Sequence, residues 1–385
     1  MQGRGILSSL AILGGAAVLL YGIYNVLFHP LRNYPGPLLW RAFRLPWVFA
    51  IHSGRIHQRM KELHDRYGPV VRIAPNELSY TDSQAWKDIN VSRPGHLPFE
   101  RNRIWFELPI RQPDAINSPD EEIHAKMKRT FAPGFQEKSL KLQIPIVESY
   151  VGLFMEQMRS MAETTVDLEY WFNLLAFDIS GDLSFGESFN CVKSGKLHPW
   201  MENAMHWGEG IYLLASVNFY WPLNHLLRKF LPNKTLRAYL EHVQFSADVA
   251  KKRLESGIDR PDWIGLAKPV SDSKTKLTMD EWGLNASFLV IGGGETVSTA
   301  LTATVRTLVQ NPRPMKVLVN EIRGAFEDES QITIASTGRL EYLTAVINEA
   351  MRVCPPVVIG FPRLVPKGGD TVCGQWVSEG VKSSP

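Results

Sequence analysis

Residues 278–312 read TMDEWGLNASFLVIGGGETVSTALTATVRTLVQNP, and this stretch decides the fold of the chain. Its first four residues have the spacing of a capping box, with Thr278 and a glutamate three positions later, which marks the start of a helix. The pair Asn311-Pro312 marks the end of that helix. Because the residues between are apolar over most of the middle, the stretch predicts a long helix that runs through a hydrophobic core.

Three consecutive glycines, Gly292–Gly294, stand at the centre of this helix and are followed by Glu295 and Thr296. Each glycine costs about 1 kcal/mol relative to alanine in a helix interior, and such conflicts with local propensity are expected at functional sites. Glycine lets a ligand approach the backbone, and a carboxylate beside a hydroxyl can relay protons. A kink or a close crossing of two helices explains the glycines equally well. A phosphate-binding loop is excluded, because no Lys-Ser/Thr pair follows.

A second motif, Glu-Ala-Met-Arg, ends a predicted helix at residues 340–353. Glu349 and Arg352 are three residues apart and share a helix face, so they can form an ion pair. Most such pairs are exposed and contribute only ~0–1 kcal/mol. Since the prolines that follow stop the helix at once, a buried pair at this place would fix the next loop.

The rest of the chain predicts a mainly α fold with small β-sheets and no alternating strand–helix array. Further helices are expected at about residues 52–67, 139–161, 170–185, 199–214, 235–256 and 312–326, and strands at 70–74, 77–80, 371–373 and 376–377. Capping patterns at Thr81 and Ser118 are expected to begin two more helices. Residues 91–117 are expected to form a long loop.

The amino-terminal segment predicts a membrane helix. Residues 6–28 contain no charged side chain and are long enough to cross a hydrocarbon core of about 30 Å. A cleaved signal peptide would be shorter. Positive charges follow at Arg32, Arg41 and Arg44, which predicts that the bulk of the protein stays in the cytosol. We therefore assign residues 1–33 to a membrane anchor, followed by a stiff Pro-Gly-Pro hinge.

Composition excludes several other classes of protein. The formal net charge of the 385-residue chain is +3 and its lysines and arginines are scattered, so no nucleic-acid partner is expected. The three cysteines, Cys191, Cys354 and Cys373, form no CxxC pair. A structural metal site or a disulfide framework is therefore not expected either.

Taken in order, these features resemble one family. An apolar anchor, a Pro-Gly-Pro hinge, Gly-Gly-x-Glu-Thr in a core helix, a Glu-x-x-Arg helix and then Pro362-Arg363 are similar to the cytochrome P-450 monooxygenases, in particular the microsomal type of filamentous fungi. Phe185-Gly186-Glu187 and Arg260-Pro261-Asp262 also resemble segments of that family. The resemblance spans about residues 34–377 and implies a cytochrome P-450-like fold for residues 34–385.

The resemblance implies roles for the two helical motifs. Glu295 and Thr296 match the acid–alcohol pair that delivers protons to iron-bound dioxygen. Glu349 and Arg352 match the structural pair that braces the core on the haem side.

Three further residues match positions near the haem propionates. His124 and Lys128 lie four residues apart on one helix face, and Arg363 matches the family's propionate-binding arginine. Lys128 keeps the charge of the usual arginine but lacks its bidentate fork. An ordinary helix histidine explains His124 equally well.

The sequence departs from the family in one respect. The family's Phe-x-x-Gly-x-Arg-x-Cys-x-Gly segment, whose cysteine binds the haem iron, is not found in residues 1–385. None of the three cysteines has that context. We therefore expect a fold that is incomplete at the carboxyl end, a chain that does not bind haem through a thiolate, and no catalysis by these residues alone.

The resemblance implies partners for an intact form: haem, an NADPH-dependent reductase and an apolar small-molecule substrate, with fungal secondary metabolism as the setting. It also implies a single-pass location in the endoplasmic reticulum membrane with the globular part in the cytosol. Three interpretations stay open: an incomplete sequence of an active monooxygenase, an inactive remnant, and a membrane-tethered, non-catalytic binding protein.

Overall fold

The protein is mainly helical with small sheets. The computed structural model describes residues 2–105, 112–230, 233–358 and 360–385. Two compact units are present. The first consists of Met1–Pro109, Ile211–Leu231 and Ile359–Pro385, and the second consists of Ile110–Gly210 and Pro232–Val358.

The helices and strands follow one another along the chain in this order. The helices are α1 (Gln2–Leu27), α2 (Leu38–Ala42), α3 (Leu45–His52), α4 (Ile56–Tyr67), α5 (Ser83–Asn90), α6 (Glu121–Phe131), α7 (Glu137–Ser160), α8 (Leu168–Phe185), α9 (Cys191–Ser194), α10 (Pro199–Asn218), α11 (Asn224–Leu227), α12 (Asn233–Glu255), α13 (Trp263–Val270), α14 (Met279–Gln310), α15 (Pro312–Ala325), α16 (Ile334–Thr337) and α17 (Glu341–Val353). The strands are β1 (Val70–Ala74), β2 (Glu77–Tyr80), β3 (Glu100–Arg101), β4 (Arg363–Leu364), β5 (Asp370–Val372), β6 (Gln375–Val377) and β7 (Lys382–Ser384).

The first unit is built on a five-stranded sheet with the order β1-β2-β7-β4-β3. The predicted hairpin is confirmed, because β1 and β2 pair antiparallel with Val70 opposite Tyr80. β5 and β6 form a separate two-stranded sheet. One apolar cluster of this unit includes Leu31, Leu78 and Val372.

Strand β7 lies in the middle of the larger sheet, between β2 and β4, and the sequence did not predict it. Glu77 pairs with Lys382 in parallel, and Leu364 pairs with Lys382 in antiparallel orientation. Val381 and Ser383 are buried. Residues 381–384 therefore belong to the core of this sheet.

The second unit is organised around α14, the helix that the opening stretch predicted. Its capping box is formed as expected: Glu281 N donates to the Thr278 hydroxyl, and Thr278 N donates to the Glu281 carboxylate. α14 packs along α8 and α12. Phe177, Leu174 and Val290 belong to the apolar cluster between them.

Most helix boundaries agree with the sequence predictions, but two caps were assigned wrongly. Asp82, not Thr81, is the N-cap of α5, since its carboxylate accepts from Gln84 N. Asp120, not Ser118, is the N-cap of α6 and accepts from two backbone N–H groups. In both cases a carboxylate one or two positions later caps the helix instead of the hydroxyl, and its negative charge is favourable at a helix N-terminus.

The loop predicted at residues 91–117 is interrupted by structure. β3 and a single 3₁₀ turn at Arg103–Trp105 occur within it. Residues 106–111 of this prediction lie outside the described residues.

The amino terminus forms the predicted helix α1, whose apolar stretch is Ile12–Leu27. Its described side chains from Ile12 to Leu20 are all exposed. Within the described residues, only α14 is long and apolar enough to cross a membrane by length and composition. α14 nevertheless carries buried polar groups, Asn285 and Ser287 among them, that bond to its neighbours, as a core helix does.

Candidate active site

The three glycines of α14 have different surroundings. A Cβ atom on Gly294 would lie 2.5 Å from the Phe177 ring, and one on Gly293 would lie 2.8 Å from the Ser180 hydroxyl oxygen, so both glycines allow α8 to pack closely. A Cβ atom on Gly292 would meet nothing within 4 Å. Two of the glycines are therefore explained by a close helix crossing, and the third leaves an open face.

Glu295 and Thr296 follow on this open side of the helix. Glu295 is exposed and Thr296 is partly buried. The Thr296 hydroxyl donates to Gly292 O at 2.6 Å, a local bond that leaves the helix in place. The motif thus presents a carboxylate and a hydroxyl beside a stretch of backbone that has no side chain over it.

The first half of α14 holds the loop before α6 in place. Asn285 is fully buried; its amide oxygen accepts from Ile116 N at 2.6 Å, and its amide nitrogen donates to Asp114 O at 3.0 Å. The carbonyl of the same Ile116 accepts from His124 Nδ1 at 2.6 Å. Because a carbonyl can only accept, Nδ1 of His124 carries the proton.

His124 and Lys128 lie one turn apart on α6, as the sequence predicted. His124 is partly buried and Lys128 is exposed. With Nδ1 committed to the Ile116 carbonyl, Nε2 of His124 accepts in the neutral ring and donates only in the imidazolium form. In the described part of the chain, no hydrogen bond or ion pair joins these two side chains to Glu295 or Thr296.

Glu349 and Arg352 form the ion pair predicted from the motif. Arg352 Nε donates to one carboxylate oxygen at 2.7 Å and Nη2 to the other at 2.6 Å. The hydrogen bond from Arg352 lowers the pKa of Glu349 below its ordinary value. The two side chains are 60% and 70% exposed, so the pair is not the buried one that would fix the next loop.

Other positions of α17 are also exposed. The helix begins where Glu321 accepts from Tyr342 N and Leu343 N, both at 2.9 Å. Ile347 and Met351 are each 43% exposed, so an apolar stripe accompanies the ion pair on the outer face. A cavity of 370 Å³ lies between α17 and the end of α14, and Glu349 is one of its lining residues.

Arg363 belongs to the first unit, whereas the other six residues predicted for the site belong to the second. It lies on β4, and its Nη1 donates to Phe99 O at 3.0 Å. The side chain is partly buried.

The Phe-Gly-Glu and Arg-Pro-Asp motifs form a buried structural network. Arg260 donates to Gly186 O at 2.6 Å and pairs with Asp182 at 2.7 Å. Asp262, fully buried, pairs with Arg253 at 2.8 Å. These segments are thus held together by charged groups within the second unit.

The three cysteines have different surroundings. Cys191 is buried in the apolar core with its Sγ atom 4.0 Å from Met201 Sδ, and burial raises the pKa of its thiol to about 12. Burial also raises the pKa of Cys373, which lies in the turn between β5 and β6. Cys354 is exposed directly after α17. An iron ligand must be a thiolate, and the raised pKa values of Cys191 and Cys373 disfavour that form.

Sequence reasoning missed two side chains that organise the site, Asn285 and Glu321. The signal for Asn285 was present, since an amide in the apolar half of a core helix must find partners for its polar atoms. Glu321 gave no local signal, because the N–H groups that it accepts from belong to the next long helix.

The protein is mainly helical, and its core helix α14 carries three glycines that are followed directly by an acid, Glu295, and an alcohol, Thr296. A family model for cytochrome P-450 matches residues 34–380. The chain belongs to the cytochrome P-450 family.

Curated relatives agree with this assignment. Cytochrome P-450 monooxygenase astA of Talaromyces wortmannii is 34% identical over 372 residues, which are 97% of this chain and 76% of the relative. Cytochrome P-450 monooxygenase aclL of Aspergillus oryzae is 38% identical over 93% of this chain and 74% of the relative. Versicolorin B desaturase of Dothistroma septosporum is 36% identical over 94% and 72%, respectively.

Proposed function

We propose that residues 1–385 form the membrane-anchoring, substrate-binding and proton-delivering part of a haem-thiolate monooxygenase that oxidises an apolar small molecule in fungal secondary metabolism. The open face of α14 carries the proposal, because Gly292 leaves its backbone uncovered where Glu295 and Thr296 follow. The fungal relatives, named as monooxygenases and as a desaturase, support the setting.

The proposed work of Glu295 and Thr296 is proton transfer. In the family, the haem-thiolate group supplies oxygen activation. Glu295 is exposed and can exchange protons with water, while Thr296 must turn its hydroxyl away from Gly292 O to donate outward. The turn costs one local hydrogen bond, about 0.5–1.5 kcal/mol, so a bound substrate could drive it.

His124, Lys128 and Arg363 are proposed to hold the acidic edge of the cofactor. Lys128 supplies a point charge and Arg363 a fork. His124 can donate through Nε2 only as imidazolium, since Nδ1 already donates to Ile116 O. Its contribution therefore requires the protonated ring.

The thiolate itself is proposed to come from outside residues 1–385. The relatives extend beyond the matched region, which covers 76% and 74% of astA and aclL. By themselves, residues 1–385 are expected to be catalytically inactive. Two of the interpretations, an incomplete sequence of an active monooxygenase and an inactive remnant, are consistent with this proposal and must be distinguished by experiment.

We place the chain in the endoplasmic reticulum membrane by α1, with residues 34–385 in the cytosol and an NADPH-dependent reductase as the source of electrons. Apolar exposed side chains along Ile12–Leu27 and the basic residues after them support this orientation. A non-catalytic tethered binding protein is the competing function, and it has no specific feature in its favour.

A carbon-monoxide difference spectrum of reduced membranes tests the thiolate proposal. Residues 1–385 are expected to give no thiolate-haem band, whereas a chimera that continues with the part of aclL that follows the matched region is expected to give one. A band from residues 1–385 alone would contradict the cysteine assignment. A well-expressed chimera without any band would favour the binding-protein interpretation.

The proton-transfer roles are tested in the same chimera. Glu295→Gln and Thr296→Val are each expected to lower substrate oxidation by about 10²-fold, the usual scale for a positioned acid or base, while the haem band is kept. Thr299→Val, one turn further along α14, is the matched control. Equal losses in all three variants would remove the special role of the pair.

A further inference from the structure

Two positively charged side chains and one carboxylate meet on the larger sheet of the first unit. Strand pairing places Glu77 of β2 beside Lys382 of β7. Arg44, the residue before α3, reaches the same place, and its Nη2 donates to the Glu77 carboxylate at 2.5 Å. We call these three residues the cationic cluster. Since one carboxylate balances only one of the two cations, the cluster carries one excess positive charge.

The cationic cluster is shielded from water. The side chains of Arg44 and Glu77 are 9% and 3% exposed, and Lys382 is partly buried. Burial and the nearby charge of Arg44 lower the pKa of Lys382 to about 8, although the charge of Glu77 acts in the opposite direction. The ammonium group is therefore still mostly protonated at pH 7, and the excess positive charge persists there.

Aromatic rings border the cationic cluster. The centroid of the Phe219 ring, directly after α10, lies 4.2 Å from Arg44 Cζ and 5.4 Å from Lys382 Nζ. The Trp47 ring lies 5.1 Å from Arg44 Cζ and packs edge-on against Phe219. A ring face attracts a cation, but it does not replace the oxygen acceptor that each N–H group needs. The rings therefore offset the buried charge without satisfying the donors.

Several donors of this region have no acceptor in the described part of the chain. Nη1 of Arg44 is buried without a hydrogen-bond partner, and so is the hydroxyl of Tyr220. Burial raises the pKa of Tyr220 and the charge of Arg44 lowers it, so the two side chains lie close together. Lys382 Nζ has no ion-pair partner among the same residues. Because a buried donor without an acceptor is costly, these donors beside an excess positive charge indicate a site for an anion.

The charge and the surroundings of the cluster select the class of anion. One negative charge balances the excess, and a carboxylate supplies it with two oxygens that accept charge-assisted hydrogen bonds. A phosphate group carries about 1.5–2 negative charges at neutral pH, which would leave an excess of negative charge in a shielded place. The rings of Trp47 and Phe219 favour an apolar body behind the carboxylate.

We propose that the cationic cluster binds the carboxylate of a small apolar acid, with donors from Arg44, Tyr220 and Lys382. The aromatic rings beside the cations contact the apolar part of the ligand. Lys382 is only partly buried, so the ligand can reach the site from solvent. All of these residues belong to the first unit. The proposal is therefore independent of the function proposed for Glu295 and Thr296, and it needs no haem.

Calorimetric titration of the detergent-solubilised full chain tests the ligand class. The probe is 2-naphthoate, and 2-naphthamide, which has the same rings and no charge, is the matched control. Charge-assisted hydrogen bonds are the strong ones, so 2-naphthoate is expected to bind about tenfold more tightly or better. Equal affinity for the two probes would overturn the proposal. Acetate or inorganic phosphate that bound as tightly as 2-naphthoate at the same ionic strength would overturn the assignment to an apolar acid.

Two substitutions test the donors. Lys382→Met keeps the approximate length of the side chain without its charge, and the affinity for 2-naphthoate is expected to fall about tenfold while that for 2-naphthamide is kept. Tyr220→Phe removes only the hydroxyl and is expected to lower the affinity for 2-naphthoate severalfold. Lys87→Met, at an exposed position of α5 in the same unit, is the matched control and should leave both affinities unchanged.

Urea unfolding separates loss of binding from loss of folding. Without ligand, Lys382→Met should unfold at the same or a higher urea concentration, because it removes a cation that is only partly compensated. Added 2-naphthoate should raise the midpoint of the unmodified chain but not that of Lys382→Met. If Lys382→Met does not accumulate, Tyr220→Phe decides the question. An unchanged affinity for 2-naphthoate in the variants that accumulate would overturn the site.

Discussion

Alanine substitutions at the three glycines of α14 show which of them are needed for close packing against α8 and which faces open space. Gly292→Ala adds a methyl group where nothing lies within 4 Å, so only helix propensity acts. We expect the free energy of unfolding to rise by about 1 kcal/mol. Gly294→Ala adds the same methyl group 2.5 Å from a Phe177 ring that is 1% exposed.

The two opposing effects at Gly294 set the expected size of its change. Overpacking in a fixed core costs about 1–3 kcal/mol, and the gain in propensity offsets about 1 kcal/mol of it. The net result is a loss of up to about 2 kcal/mol. Gly293→Ala should lie between the two variants, since the Ser180 hydroxyl that it meets can rotate.

Urea unfolding of the detergent-solubilised full chain, followed by far-ultraviolet circular dichroism, gives the comparison. The slope with urea should be the same in all variants, so that midpoints report stability. The reasoning would be refuted if Gly292→Ala were destabilising, or if Gly294→Ala stabilised the chain as much as Gly292→Ala does.

Three further predictions concern the second unit. Burial lowers the pKa of His242 to about 4, so on acidification the unfolded chain binds a proton before the folded chain does. The free energy of unfolding, measured by urea titration, should therefore fall by about 2 kcal/mol from pH 7 to pH 5. His242→Gln should remove this loss, whereas His57→Gln, at an exposed position, should not. Asn285→Ala leaves two loop groups unpaired, at about 1–3 kcal/mol each, so hydrogen exchange at residues 112–117 should accelerate at least tenfold, and unchanged exchange would contradict its role. Glu349→Gln should leave the urea midpoint unchanged because its ion pair is exposed, whereas Asp262→Asn breaks a buried ion pair and should lower the free energy of unfolding by about 3–5 kcal/mol. Equal effects of the two variants would mean that burial does not determine how much each ion pair contributes to stability.

The elements that the sequence predicted well are those whose signals are local. The capping box at Thr278 and the stop at Asn311 gave α14 to within a residue, and the hairpin of β1 and β2 followed from two short β-type runs around Pro75-Asn76. The late strands β5 and β6 were similarly predicted from adjacent residues. In each case the partner groups lie within a few positions along the chain.

The features that escaped prediction depend on distant partners or on burial. β7 exists because β2 and β4 lie on both sides of it, and its own residues have no strand pattern. The pairing of Glu349 with Arg352 could be predicted from their spacing, but their exposure could not, since it depends on what else covers α17. Which of the three glycines faces open space likewise depends on distant elements, namely α8 and Trp263 of α13.

The central place of β7 has a consequence for synthesis of the protein. Asn76, in the turn of the first hairpin, donates to Gly380 O, 304 residues further along the chain. At about 5–20 residues per second, translation of that interval takes on the order of 15–60 s. During that time the inner edge of β2 has no partner strand, and an unpaired edge can join other chains. In a nascent chain this edge of β2 would thus stay open to other chains until β7 emerges.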